Sequence, residues 1–152
     1  MADHGCAGCL GDSAGAGTPH YYDAVYDLDS VASAWFVLTT FSKKWRAPAH
    51  TFVSFGFADG RYLAISVEAR REQGEDYGIL AGMFRRYELI YVFGDERDLI
   101  GVRAGPRGEQ VFLRRLRAEP ARLRELFLSY LNFADELSRA PQFYGVLRNS
   151  CG

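Results

Sequence analysis

The chain has 152 residues, 48% of them hydrophobic and 14% aromatic, which fits one globular domain with a sizeable core and excludes general disorder. A net charge of −1 removes any bulk electrostatic case for nucleic acid or for an anionic membrane surface. No apolar run approaches the roughly 18 residues of a membrane span, and no charged leader precedes an apolar block, so a soluble chain is expected.

The first stretch, Met1 to His20, is rich in Gly, Ala and Ser without periodicity and reads as a flexible tail ahead of a single domain over 21–152. It holds His4, Cys6, Cys9 and His20. One C-x-x-C is half of a zinc site, but a second ligand pair at a fitting spacing is missing, so neither metal nor cofactor is expected. With Cys151 the cysteines number three, too few and too unevenly placed for a disulfide framework. Tyr21 to Ser30 is a turn-rich entry whose Asp23, Asp27 and Asp29 are most simply solvated. Ala34 to Thr40, AWFVLTT, is an apolar, β-branched and aromatic run that predicts a buried strand. A basic loop follows, Ser42 to Pro48, in which Trp45 stands among Lys43, Lys44 and Arg46. Such a loop suits lipid headgroups or phosphate, and equally a Trp lid with solvated cations.

Ala49 to Arg70, AHTFVSFGFADGRYLAISVEAR, is the strongest local signal. Two alternating runs flank the turn signal Ala58-Asp59-Gly60, which predicts a β-hairpin. Folding it with Phe57 facing Arg61 sets Val53 against Ile65, Phe55 against Leu63 and Thr51 against Val67 on a core face. The other face carries His50, Phe52, Ser54 and Gly56 across from Glu68, Ser66, Ala64 and Tyr62, so that a base meets a carboxylate. A slip of one residue would set Glu68 diagonal to His50.

Ala69 to Asp76 is a charged connection. Leu80, Met83 and Phe84 predict a short helix within Tyr77 to Arg86, and Tyr87 to Phe93 a strand stopped by Gly94-Asp95. Leu99 to Val102 reads as a short strand or the end of a helical turn, Gly105 to Gly108 as a turn, and Gln110 to Leu116 as a strand. The clearest helix runs from Pro120 to Arg139, where Leu123, Leu126, Phe127, Tyr130, Leu131, Ala134 and Leu137 form an apolar stripe between Pro120 and Pro141. The fold class is α+β: a mainly antiparallel sheet with one long packed helix.

Cys151, His50 and Glu68 are the nucleophile, base and orienter types that acyl transfer through a thioester requires. The bland alternative is a loop histidine, a hairpin carboxylate paired with Arg70 and a terminal free cysteine. Ser54 and Ser66 are weaker nucleophile candidates, because neither occupies a G-x-S-x-G elbow.

From Tyr26 to Cys151 the sequence resembles the periplasmic domain of the bacterial lipoprotein N-acyltransferases called Lnb, long catalogued as a domain of unknown function (family 4105). The stretches that carry the resemblance are SAWFVLTTF from Ser33, AHTFVSFGFADGRYLAISVEARRE from Ala49, YELIYVFGDERDLIGVR from Tyr87 and FYGVLRNSC from Phe143. Such domains are similar to circularly permuted papain-like enzymes of the NlpC type, in which the histidine strand precedes the cysteine. The resemblance implies His50 as base, Cys151 as nucleophile and Glu68 as third member. It implies acyl transfer from a phospholipid to the N-terminal amine of a lipoprotein in the periplasm, and an attachment to the membrane through segments outside this chain. In the family the cysteine opens a helix, whereas here the chain ends at Gly152. The domain is therefore expected to be truncated after Cys151, with little turnover of its own. The alternatives are a papain-like amidase or peptidase, and a catalytically silent domain that binds lipid or lipoprotein.

Overall fold

The computed structural model describes residues 22–40, 49–70 and 88–143. The tail with His4, Cys6, Cys9 and His20, the basic loop around Trp45, the helix expected over 77–86 and Cys151 all lie outside these residues.

After a 3-10 turn at Leu28–Ser30, five strands form one sheet: β1 (Val31–Thr40), β2 (Ala49–Phe57), β3 (Tyr62–Arg70), β4 (Glu88–Gly94) and β5 (Gln110–Arg115). The order across it is β4-β3-β2-β1-β5, and every neighbouring pair is antiparallel. The first four strands are thus a meander, and β5 adds on the far side of β1. The long helix α2 (Pro120–Arg139) has the predicted bounds, with Pro120 in its first turn.

The hairpin register is the predicted one: Val53 pairs with Ile65, Ser54 with Ala64, Phe55 with Leu63 and Gly56 with Tyr62. Its turn explains why no slip occurs. Phe57 N–H donates to the Arg61 carbonyl at 2.9 Å, Gly60 N–H donates to the Phe57 carbonyl at 3.0 Å, and Gly60 takes the left-handed φ of 85°. Asp59 accepts from both the backbone and side-chain nitrogens of Arg61, so this three-residue loop is closed by its own side chain.

One sheet face carries Val53, Phe55, Phe57 and Ile65 against Leu123 and Phe127 of α2. The rings meet edge-on: Phe127 lies 5.0 Å from Phe55 and 5.6 Å from Phe57 between centroids. Each such pair adds about 0.5–1.5 kcal/mol beyond burial. Of the predicted stripe, Leu126 and Tyr130 are half-buried against this cluster, while Leu131 is exposed.

The opposite face carries His50, Phe52, Ser54 and Gly56 of β2. It is covered by a helical segment, a π-type turn at Arg97–Gly101 running into the short helix α1 (Val102–Ala104), which resolves the strand-or-helix ambiguity at Leu99 to Val102. Leu99 packs there with Val37, Phe52 and Ala64, and the approach is close enough that a Cβ on Gly94 would meet Leu99 Cδ1 at 3.2 Å. Ser54, Ser66 and Ala64 are consequently fully buried.

Candidate active site

The two strands of the hairpin bring His50 and Glu68 together, as the register requires. His50 is 6% exposed, near the start of β2, and Glu68 stands near the end of β3. His50 Nε2 lies 3.2 Å from Glu68 Oε1 and 2.7 Å from Ser66 Oγ, while Ser66 Oγ donates to the same Glu68 oxygen at 2.8 Å. An ionised carboxylate only accepts, and a serine hydroxyl has one proton to give. Ser66 gives that proton to Glu68, so its oxygen accepts from His50 and Nε2 must carry the hydrogen. The network therefore fixes the Nε2–H tautomer of the neutral ring and leaves the basic lone pair on Nδ1.

Burial works to raise the Glu68 pKa, but the hydrogen bond and charge of His50, the Ser66 hydroxyl and the Arg103 guanidinium together outweigh it and hold the carboxyl at about 2. Arg103 was absent from the sequence-based candidates. Its Nη2 donates to Glu68 Oε1 at 2.8 Å and its Nη1 to the Leu99 carbonyl at 2.7 Å. Its Nε is 4.0 Å from Glu109 Oε2, and Arg107 stands 3.7 Å from the other Glu109 oxygen. The cation of Glu68 is thus a residue 35 positions away. Phe52 forms a common wall, with the His50 ring stacked at 5.7 Å and the Arg103 guanidinium 5.2 Å from the ring centre.

The structure commits both candidate serines elsewhere. Ser66 serves Glu68, and fully buried Ser54 donates to Glu96 Oε1 at 2.6 Å, which leaves neither as an exposed nucleophile. Cys151 lies outside the described residues, but the chain that leads to it is placed up to Phe143. After α2, the Gln142 carbonyl accepts from Leu89 N–H at 2.8 Å and Phe143 bridges Glu88 antiparallel. Glu88 is the partner of Arg70 and Ile90 that of Glu68, so the returning chain meets β4 at the sheet end that bears the His50–Glu68 pair. Among the described residues no cluster of three or more His, Cys, Asp or Glu side chains could hold a metal.

Fold and network together define an α+β domain with a sheet-borne histidine held in one tautomer by a hydroxyl and an ionised carboxylate. The chain belongs to the family of Lnb N-terminal periplasmic domains, whose model matches residues 17–152. It is accordingly a periplasmic domain of the bacterial envelope, of a lipoprotein-processing type of protein, and no helix among the described residues is long and apolar enough to cross a membrane. No curated protein and no solved structure matches the chain.

Proposed function

We propose that this domain carries the thiol-dependent acyl-transfer site of an Lnb-type lipoprotein N-acyltransferase, with His50 as general base, Cys151 as nucleophile and Glu68 as the group that orients the base. The observation that carries the reading is the hydrogen-bonded order Glu68, Ser66, His50: it holds the ring as Nε2–H, so that Nδ1 is the atom that takes a proton. The chain order His50, Glu68, Cys151 fits a circularly permuted papain-like core of the NlpC type, and the return of the chain at Phe143, eight positions before Cys151, supports a cysteine delivered to this end of the sheet.

In the first half-reaction His50 takes the Cys151 proton, the thiolate attacks a phospholipid ester carbonyl, and the glyceryl oxygen leaves with the proton from His50, giving a thioester and a lysophospholipid. In the second, the lipoprotein amine attacks the thioester, its proton passes to His50, and collapse forms the amide and returns the thiol. The donor is a phospholipid, the acceptor a diacylated lipoprotein, and the segments that meet the membrane belong to the rest of the protein.

The test is made in the full-length protein, with His50→Ala and Cys151→Ser substituted separately and N-acylation of a lipoprotein followed by mass spectrometry of its N-terminal peptide. Loss of about 100-fold or more from either change is expected. N-acylation that survives both changes overturns the reading and favours a silent lipid- or lipoprotein-binding domain. A wild type that cleaves an amide substrate and does not N-acylate overturns it in favour of the amidase.

A further inference from the structure

We propose that Arg103 is a positioning residue that acts through Glu68, holding the carboxylate against His50 and opposing its pull on the imidazole proton. The proposal rests on the reading of His50 as the base only for its catalytic consequence; the electrostatic effect stands by itself.

The placement of Arg103 is built rather than incidental. It is 5% exposed, on a segment whose packing against the sheet is already provided by Leu99 on Val37, Phe52 and Ala64. Burying a guanidinium is costly unless it is paired and hydrogen-bonded, so an apolar side chain would tie the segment down more cheaply. What an apolar side chain cannot do is deliver a charge. The bond from Nη1 to the Leu99 carbonyl, one helical turn back, fixes the fork, and the fixed fork aims Nη2 at Glu68 Oε1. That oxygen is also the one His50 and Ser66 share.

Among the described residues, the charged groups facing Glu68 are His50 from β2 and Arg103 from the helical segment. Glu109, ahead of β5, faces Arg103, and Arg107 faces Glu109. Charges therefore alternate outward from the imidazole: carboxylate, guanidinium, carboxylate, guanidinium. A bare carboxylate beside an imidazole favours the imidazolium, which is useless as a base. A cation on the same carboxylate oxygen opposes that effect while keeping the hydrogen bond that orients the ring. Arg103 thus lets Glu68 steer His50 without locking a proton onto it.

The experiment follows the His50 ring by NMR against pH in the Cys151→Ser protein, where the thiol does not titrate alongside it. Only His4 and His20 must be told apart from it, and His50→Gln assigns the signal. Arg103→Gln, which keeps a hydrogen-bonding side chain and loses the charge, is expected to raise the His50 midpoint by roughly one pH unit, and Arg103→Lys to return most of the way to wild type. Glu68→Gln is expected to move the midpoint in the opposite direction, down. A structural tie alone moves neither in this paired way. An Arg103→Gln midpoint that stays put or falls overturns the proposal. Should that variant not fold, Glu109→Gln carries the test: with its second carboxylate gone, Arg103 weighs more fully on Glu68 and the midpoint must fall, and an unchanged midpoint overturns the proposal. Midpoints that shift as expected while full-length His50→Ala still acylates lipoprotein support the Arg103 role and overturn the catalytic reading. Unmoved midpoints with acylation lost in His50→Ala do the reverse.

Discussion

Replacing Glu68 by Gln removes one charge from the centre of the network at almost constant shape, and the structure gives the cost. The folded carboxyl titrates at about 2 instead of 4.5, and each unit of that shift is about 1.4 kcal/mol of stability at neutral pH. The sum is on the order of 3 kcal/mol, reduced to about 2 kcal/mol because the side chain is 31% exposed and solvent screens it. Burial of Arg103 acts in the same direction, since a neutral amide leaves the guanidinium with a carboxylate only at 4.0 Å. The sign with pH follows from a depressed folded pKa: the contribution is complete above the unfolded value of 4.5 and disappears as pH falls through about 2. Urea denaturation of wild type and Glu68→Gln from neutral pH down to about pH 2 should therefore show a gap of about 2 kcal/mol that closes in acid. A gap of constant size across that range would refute the electrostatic origin and leave only lost packing.

Two further substitutions test the scaffold. Gly56→Ala would set a Cβ 2.5 Å from Ser33 Oγ and 2.8 Å from Tyr62 Cε1, so a loss of about 1–3 kcal/mol is expected in thermal unfolding, partly recovered when Tyr62→Ala is added. Phe127→Ala empties the site between Phe55 and Phe57, and chemical denaturation should show a loss of about 3–5 kcal/mol with the secondary structure of the sheet retained.

Strand and helix positions were legible where periodicity and punctuation agree. Pro120, the spacing from Leu123 to Leu137 and Pro141 determine α2, and Ala58-Asp59-Gly60 determines the hairpin, so the approach of His50 to Glu68 followed from counting residues. The strand from Tyr87 was likewise legible, and β4 is described from Glu88 onward. At Leu99 to Val102 four residues are too few to show a period, and strand or helix stayed open until the packing of Leu99 decided it. What covers the polar face of the hairpin was not legible, because Glu96 and Arg103, the partners of Ser54 and Glu68, come from a segment that no local rule pairs with the hairpin. A faint signal for Arg103 existed: it is one turn after Leu99 and directly after Val102, a lone cation on the apolar side of a helical run.

The hairpin and its guanidinium partner reach the site on different schedules. His50, Ser66 and Glu68 belong to one local β-hairpin that forms from short-range contacts, whereas Arg103 arrives only after β4 has been laid down and the chain has turned back over the sheet. Until Arg103 is in place, Glu68 acts on the imidazole unopposed, and on the proposal above His50 holds its proton more firmly. The same holds whenever the 97–104 segment lifts locally from an otherwise intact sheet. The balance of charge at His50 is thus a late property of this domain, one that appears with the last layer and lapses when that layer opens.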